Sequence, residues 1–178
     1  RRRATRALSD LVRTRELFRY DTVYTTSSEP PKARDLWRSL SILSYCCLGS
    51  HPRPRVPQEQ LGGALQDVAR RLGVRPPIEK PCVFDREDKL VRLWVEPYTD
   101  HPAGLDVGAL LEALQRATRD KSFQLWSYLT LSGEFAMQVL CRSRARADEL
   151  GLWLDRVPLV GRAGPETVEI PVTTAVIQ

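Results

Sequence analysis

The chain has 178 residues, 42% of them hydrophobic and 28% charged, and a formal net charge of +5. That composition can bury a core without disulfide or metal staples and excludes a fibrous or low-complexity protein. No run approaches the roughly 18 apolar residues that cross a bilayer, so no membrane span is expected.

The charge is unevenly placed. Residues 1–19 hold seven of the 27 cationic side chains (Arg1, Arg2, Arg3, Arg6, Arg13, Arg15 and Arg19) and two of the 22 acids, Asp10 and Glu16. The remaining residues therefore carry twenty of each sign and are neutral as a group. Within the basic segment, Ala4, Ala7, Leu8, Leu11 and Val12 fall at helical spacing, which predicts an amphipathic helix over 3–18 with arginine on its other face. A concentrated cationic arm attracts phosphate or carboxylate over long range and in a salt-sensitive way. The seven arginines are thus read as docking on nucleic acid, RNA ahead of DNA, or on an acidic protein surface. A solvated helix, or one bound in a larger assembly, is the competing reading. An Arg-rich, acid-poor start also has the look of a mitochondrial presequence. A chain that does not begin with Met reads as a fragment or a processed form. Arginine outnumbers lysine 23 to 4 along the whole length, which GC-rich codon usage explains without any function.

The run 20–26 (YDTVYTT) predicts an extended strand, and Ser27 to Pro31 a linker. Leu36, Leu40, Leu43 and Cys47 share a stripe that predicts a helix over 35–48, stopped by Gly49. A proline-rich loop follows at 51–57. Leu61, Leu65, Val68 and Leu72 predict a second helix over 58–72, with Gly73 as its C-cap and Pro76-Pro77 as the break. The β-rich runs 78–84 and 89–96 flank Asp85-Arg86-Glu87-Asp88 and predict a hairpin. In the second run Val91, Leu93 and Val95 share one face, Leu90 and Trp94 the other. Asp106 is the expected N-cap of a helix carrying Val107, Leu110, Leu111 and Leu114.

Residues 123–131 alternate in hydrophobicity and predict a strand, turned at Ser132-Gly133 into a second strand over 135–141. Leu150, Trp153, Leu154 and Val157 predict a helix that begins near Ser143. A loop at 161–165 leads to a last strand over 168–176, where Pro171 fits only an edge position. The expected class is α+β. The order β-α-β-β-α-β over 89–178 is that of a ferredoxin-like sheet, extended by the hairpin strand at 78–84 and covered by the helices at 35–48 and 58–72. The expected division is a basic arm and linker (1–31), a helical region packing on the sheet (32–77) and the sheet domain (78–178).

The stretch LSGEFAMQVLCRSRARADELGLWLDRVPLVG resembles the second half of the ligand-sensing domain of leucine-responsive (Lrp/AsnC-type) regulators. Ser132-Gly133 would occupy the family's turn between two strands, and Val157-Pro158-Leu159-Val160-Gly161 its loop before the last strand. The resemblance implies dimerisation through the sheet and a small ligand at the subunit interface. The family's N-terminal helix-turn-helix is not matched, because ALQDVARRLGV runs into Arg75-Pro76-Pro77 where a recognition helix would begin.

Chemistry is sparsely signalled. Cys46, Cys47, Cys82 and Cys141 form no C-x-x-C and read as small hydrophobes in a reducing, intracellular compartment, mitochondrial or nuclear. Asp85, Glu87 and Asp88 read as turn carboxylates, and His51 and His101 have no nucleophile motif beside them. No catalytic residue, metal or cofactor is expected. On the expected strand phases Trp94, Trp126 and Tyr128 share the sheet face away from its helices and form an interface, with a covering helix or subunit or, on the alternative reading, with stacked bases. The expected function is non-enzymatic: a subunit of a ribonucleoprotein or other large complex, partnered by other subunits or by a second copy of itself. A dimerising ligand sensor and an enzyme with an unrecognised site are the alternatives.

Overall fold

A computed structural model describes residues 18–20, 23–25, 29–47, 53–76, 80–85, 89–99 and 106–177. The chain divides into two compact units, Arg1–Trp37 and Arg38–Gln178. In the first unit, β1 (Phe18–Tyr20) and β2 (Val23–Thr25) pair antiparallel, Phe18 opposite Thr25. The helix expected over 3–18 lies outside the described residues except for Phe18, which is in a strand. Of the strand expected over 20–26, Val23–Thr25 form β2 and Tyr20 ends β1; the other residues lie outside the described ones.

Helix α1 spans Ala33–Cys47 and α2 spans Gln58–Leu72. The end of α2 is set by Gly73, whose φ of +65° suits a residue without a Cβ, and the N–H of Val74 reaches back 3.0 Å to the Ala69 carbonyl. Four strands form the main sheet of the second unit in the order β3 (Cys82–Phe84), β4 (Leu90–Val95), β5 (Phe135–Cys141), β8 (Val172–Val176). The expected hairpin is present as the antiparallel pair β3–β4, but β4–β5 and β5–β8 are parallel. Parallel neighbours need a long crossover. The first is built from α3 (Val107–Arg119), a 3-10 turn (Lys121–Phe123) and α4 (Gln124–Leu131). The second uses α5 (Arg144–Arg156) and a small hairpin, β6 (Val160–Ala163) with β7 (Glu166–Glu169).

Residues 123–131 are therefore helical, not a strand. Their apolar side chains run on both phases of the alternation, so the pattern fits a buried helix as well as a strand. The local chemistry selects the helix. Asp120 accepts from the Ser122 N–H at 2.7 Å and starts the turn, and the Thr130 hydroxyl donates back to the Trp126 carbonyl at 2.9 Å. The coarse expectation of a body mixing helices and strands holds; its main sheet among the described residues has four strands and is mixed. The ferredoxin-like strand order expected for 89–178 does not appear in these pairings: parallel neighbours stand where that order has antiparallel ones, and Ser132-Gly133 joins a helix to a strand. Of the segment expected as a loop at 161–165, the first three residues belong to β6 and Gly164-Pro165 make the hairpin turn. The strand expected over 168–176 is cut at Pro171, which lacks the N–H to continue a ladder but offers its carbonyl to the Met137 N–H at 2.8 Å. β8 takes the expected edge position.

Both sheet faces are covered. The larger core joins Leu90, Met137 and Val139 to Leu61 and Leu65 of α2, Leu110 and Leu114 of α3, Trp126 of α4 and Leu150 of α5. On the other face Ile42, Tyr45 and Cys46 of α1 meet Val83, Val91, Leu93 and Leu140. The alternation expected in β4 is realised: Val91, Leu93 and Val95 face α1, while Leu90 and Trp94 face the larger core.

Candidate functional site

β3 is half as long as β4, so the outer edge of β4 loses its neighbour after Pro81, whose carbonyl accepts from the Leu93 N–H at 2.8 Å. Beyond that point lies a notch of about 210 Å3, lined by Arg38 of α1, Lys80, and Arg92, Leu93, Trp94 and Val95 of β4. Three of its six lining residues are cationic, and among the described residues none is acidic.

Arg92 is the unusual member. It shares the inward phase of β4 with Leu90 and Trp94 and is only 7% exposed. Its guanidinium carbon lies 5.2 Å from the Phe123 ring and 5.7 Å from both the Trp94 and Trp126 rings. Such ring faces attract a cation but accept no strong hydrogen bond. Among the described residues the buried Arg92 Nε has no hydrogen-bond partner, and neither has the buried indole Nε1 of Trp94. Burial draws the Arg92 guanidinium down from the ordinary arginine range to about 10; the Cys82 thiol acts against that, and the nearby Arg38 cation adds to it. Lys80 is lowered in the same direction, first by burial and then by Arg92 and Arg38. Two buried donors and three mutually repelling cations thus meet at one notch.

A second charged cluster sits at the carboxyl ends of β4 and β5, where open α/β sheets commonly bind ligands. Here the place is filled by side chains. Glu96, fully buried, accepts from the Arg142 backbone N–H at 3.1 Å. Its carboxylate also pairs with Arg146 at 2.7 Å and Arg142 at 3.4 Å, both nearly buried. Ser143 caps α5 beside them, accepting from the Arg146 N–H at 3.4 Å. This triad ties two strands and a helix start together. It also accounts for part of the RAR cluster: Arg146 pairs inward, while Arg144 pairs with Asp148 at 3.1 Å on the surface.

The sequence-predicted residues fall as follows. Arg1, Arg2, Arg3, Arg6, Arg13 and Arg15 lie outside the described residues; Arg19 is in β1. The expected aromatic interface is not formed as drawn. Trp126 is 1% exposed inside the larger core because its segment is helical, and Tyr128 is half-buried on the same helix. Trp94 is half-buried and packs on that core. Trp94 and Trp126 do converge, but around Arg92, which the sequence reading passed over. Its only signal was a charge at an inward position of an alternating strand. Asp85 has a turn role, accepting from the Lys89 N–H at 2.8 Å. Glu87, Asp88, His51 and His101 lie outside the described residues.

Burial pushes the Cys82 thiol up to about 12 and the Cys141 thiol up to about 11, so neither is a thiolate nucleophile at neutral pH. Among the described residues no group of three or more His, Cys, Asp or Glu side chains could hold a metal, and no helix is long and apolar enough to cross a membrane. No protein-family description, no curated protein and no solved structure matches the chain.

Proposed function

We propose that the protein acts by association rather than catalysis, as a nucleic-acid-binding component of a larger complex, with RNA the favoured target. The observation that carries this reading is the segregation of charge: residues 1–19 hold a net +5 and the rest of the chain is neutral. The covered sheet supports it indirectly. With α1 on one face and α2 to α5 on the other, stacking of bases on a bare sheet is not the mode of binding, which leaves phosphate contact as the main source of affinity. Seven arginines engaged on a single strand give a salt slope of about −5, or about a thousand-fold loss of affinity for a four-fold rise in salt.

The test is a salt series of RNA and duplex DNA binding by the full chain and by a version lacking residues 1–19. Steep salt-dependent binding that vanishes with the truncation supports the reading. Absence of binding by the full chain at low salt overturns it and assigns the arm to an acidic protein. The competing reading, a dimerising sensor of a small ligand, draws on the exposed Leu152, Trp153 and Val157 near the end of α5. It predicts a concentration-dependent dimer in sedimentation that a small molecule stabilises.

A further inference from the structure

We propose that the notch formed by Arg38, Lys80, Arg92 and Trp94 is a binding site for a phosphate monoester dianion. This proposal is independent of the N-terminal arm, because every residue it uses lies between 38 and 95.

Folding leaves the notch with an unmet demand. A guanidinium that is 93% removed from solvent is costly unless it is paired and hydrogen-bonded. Arg92 has three aromatic rings around its carbon, but among the described residues nothing receives its Nε–H. The neighbouring Trp94 Nε1–H is buried in the same state. Arg38 and Lys80 add two further cations to the lining; Arg38 opposes the charge on Arg92, and Arg92 and Arg38 oppose the charge on Lys80. Buried donors without acceptors are rare in native proteins, so two at one cavity mark a place where an acceptor arrives from outside.

The chemistry of that acceptor follows from the lining. A single carboxylate balances one of the three charges. A terminal phosphate carries close to two charges and three acceptor oxygens, which match a lysine approaching as a point charge and two guanidinium groups able to make fork-shaped contacts. A phosphodiester within a chain has only one charge and two free oxygens. The about 210 Å3 of space also leaves room beside the phosphate for the first atoms of its ester. The indole of Trp94 lines the notch and reports on occupancy.

The experiment titrates the full chain with inorganic phosphate and with phenyl phosphate, following tryptophan fluorescence and the melting temperature against sodium chloride of equal ionic strength. The variants are Arg92→Met and the doubly substituted Arg38→Met/Lys80→Met, whose side chains are removed from the rim without opening the core. A saturable response is expected in the parent chain, with affinity weakened about ten-fold to a hundred-fold in each variant, the loss attached to charge-assisted hydrogen bonds. Phosphate also stabilises proteins by general exclusion from their surface, so a melting shift of equal size in the parent and both variants overturns the proposal. So does a parent response no larger than that to chloride. If Arg92→Met fails to fold, the rim variant decides alone. The source of the group is resolved by comparing 5′-phosphorylated with 5′-hydroxyl oligonucleotides of one sequence. Tighter binding of the phosphorylated form, abolished by Arg38→Met/Lys80→Met, assigns the notch to a nucleic-acid end. Equal binding of the two, with phenyl phosphate still saturating, assigns it to a small phosphate ester.

Discussion

Replacing Arg92 by methionine is expected to leave the protein as stable as before or to raise its stability, although the residue is 93% buried. The cost of holding the charge inside follows from the drop of the guanidinium from the ordinary arginine range to about 10, which corresponds to about 3 kcal/mol at neutral pH. The sign is fixed by linkage. For a base whose folded value is depressed, stability is present above its unfolded value and is lost as pH falls through the folded one, so at pH 7 the folded state bears the whole cost. Against it stand three aromatic faces at 5.2 to 5.7 Å, close to the ~6 Å limit of the interaction and so at its weak end, about 0.5–1 kcal/mol each and together about 2 kcal/mol. The balance favours removing the charge by about 1 kcal/mol. Methionine keeps an apolar stem of similar reach beside Phe123 and Trp126, and its thioether suits ring contacts. The assay is urea unfolding of both chains at pH 7 in a buffer free of phosphate, comparing midpoints at equal slope. A loss of about 2 kcal/mol or more, the range of a core truncation, would refute the claim that desolvation outweighs the rings at this position.

Other perturbations have equally definite outcomes. Glu96→Gln leaves Arg142 and Arg146 buried without their anion and is expected to cost about 3 kcal/mol in urea melts; a change near zero would show that water already screens the triad. Gly161→Ala would drive its new methyl into the Ser127 hydroxyl and within 3.2 Å of the Ile170 Cδ1, where β6 meets α4. Overpacking there is expected to cost about 1–3 kcal/mol, read as a lowered melting temperature, and an unchanged one would contradict the close approach. Thiol labelling of the native chain at neutral pH is expected to modify the exposed Cys47 and to spare Cys82 and Cys141 until denaturant is added; prompt reaction of the buried pair would contradict their packing. Since these thiols are raised from 9.0 to about 12 and about 11, their contribution to stability is complete below pH 9 and falls away as pH climbs toward those values. Alkaline melts of Cys82→Ala should show a weaker decline over that window than the parent.

The parts of this fold that could be read from the chain are those whose stripes are unambiguous. Leu61, Leu65 and Ala69, or Leu110 and Leu114, have one buried face each, and Gly73 and Asp106 mark the ends. The segment 123–131 predicts a strand where a helix stands because Leu125, Trp126 and Ser127 are buried in succession, so no polar phase distinguishes period 2 from period 3.6. That one ambiguity carried the sheet with it, since a strand there pairs back as a hairpin whereas a helix sends the chain across to a parallel neighbour. The hairpin over 160–169 was hidden by strands of only four residues around Gly164-Pro165. Of the candidate sites, the arm is legible as bare charge. The notch is not, because it joins Arg38, Lys80 and Arg92 from three elements, and an arginine between Leu90 and Trp94 reads as an interruption of the strand.

The main sheet has a property beyond its stability: its strands lie side by side in the order in which they occur in the chain, β3, β4, β5, β8. No strand has to be threaded between two that are already paired. A polypeptide emerging from the ribosome can close the β3–β4 hairpin, then lay β5 on the open edge once α3 and α4 have emerged, and finally β8. Each addition is made to a growing edge, and each intermediate exposes one unpaired strand to the crowded cell. Synthesis stalled before residue 172 would leave β5 as that edge, with Met137, Val139 and Leu140 in its ladder, and such an arrested chain is where self-association should begin.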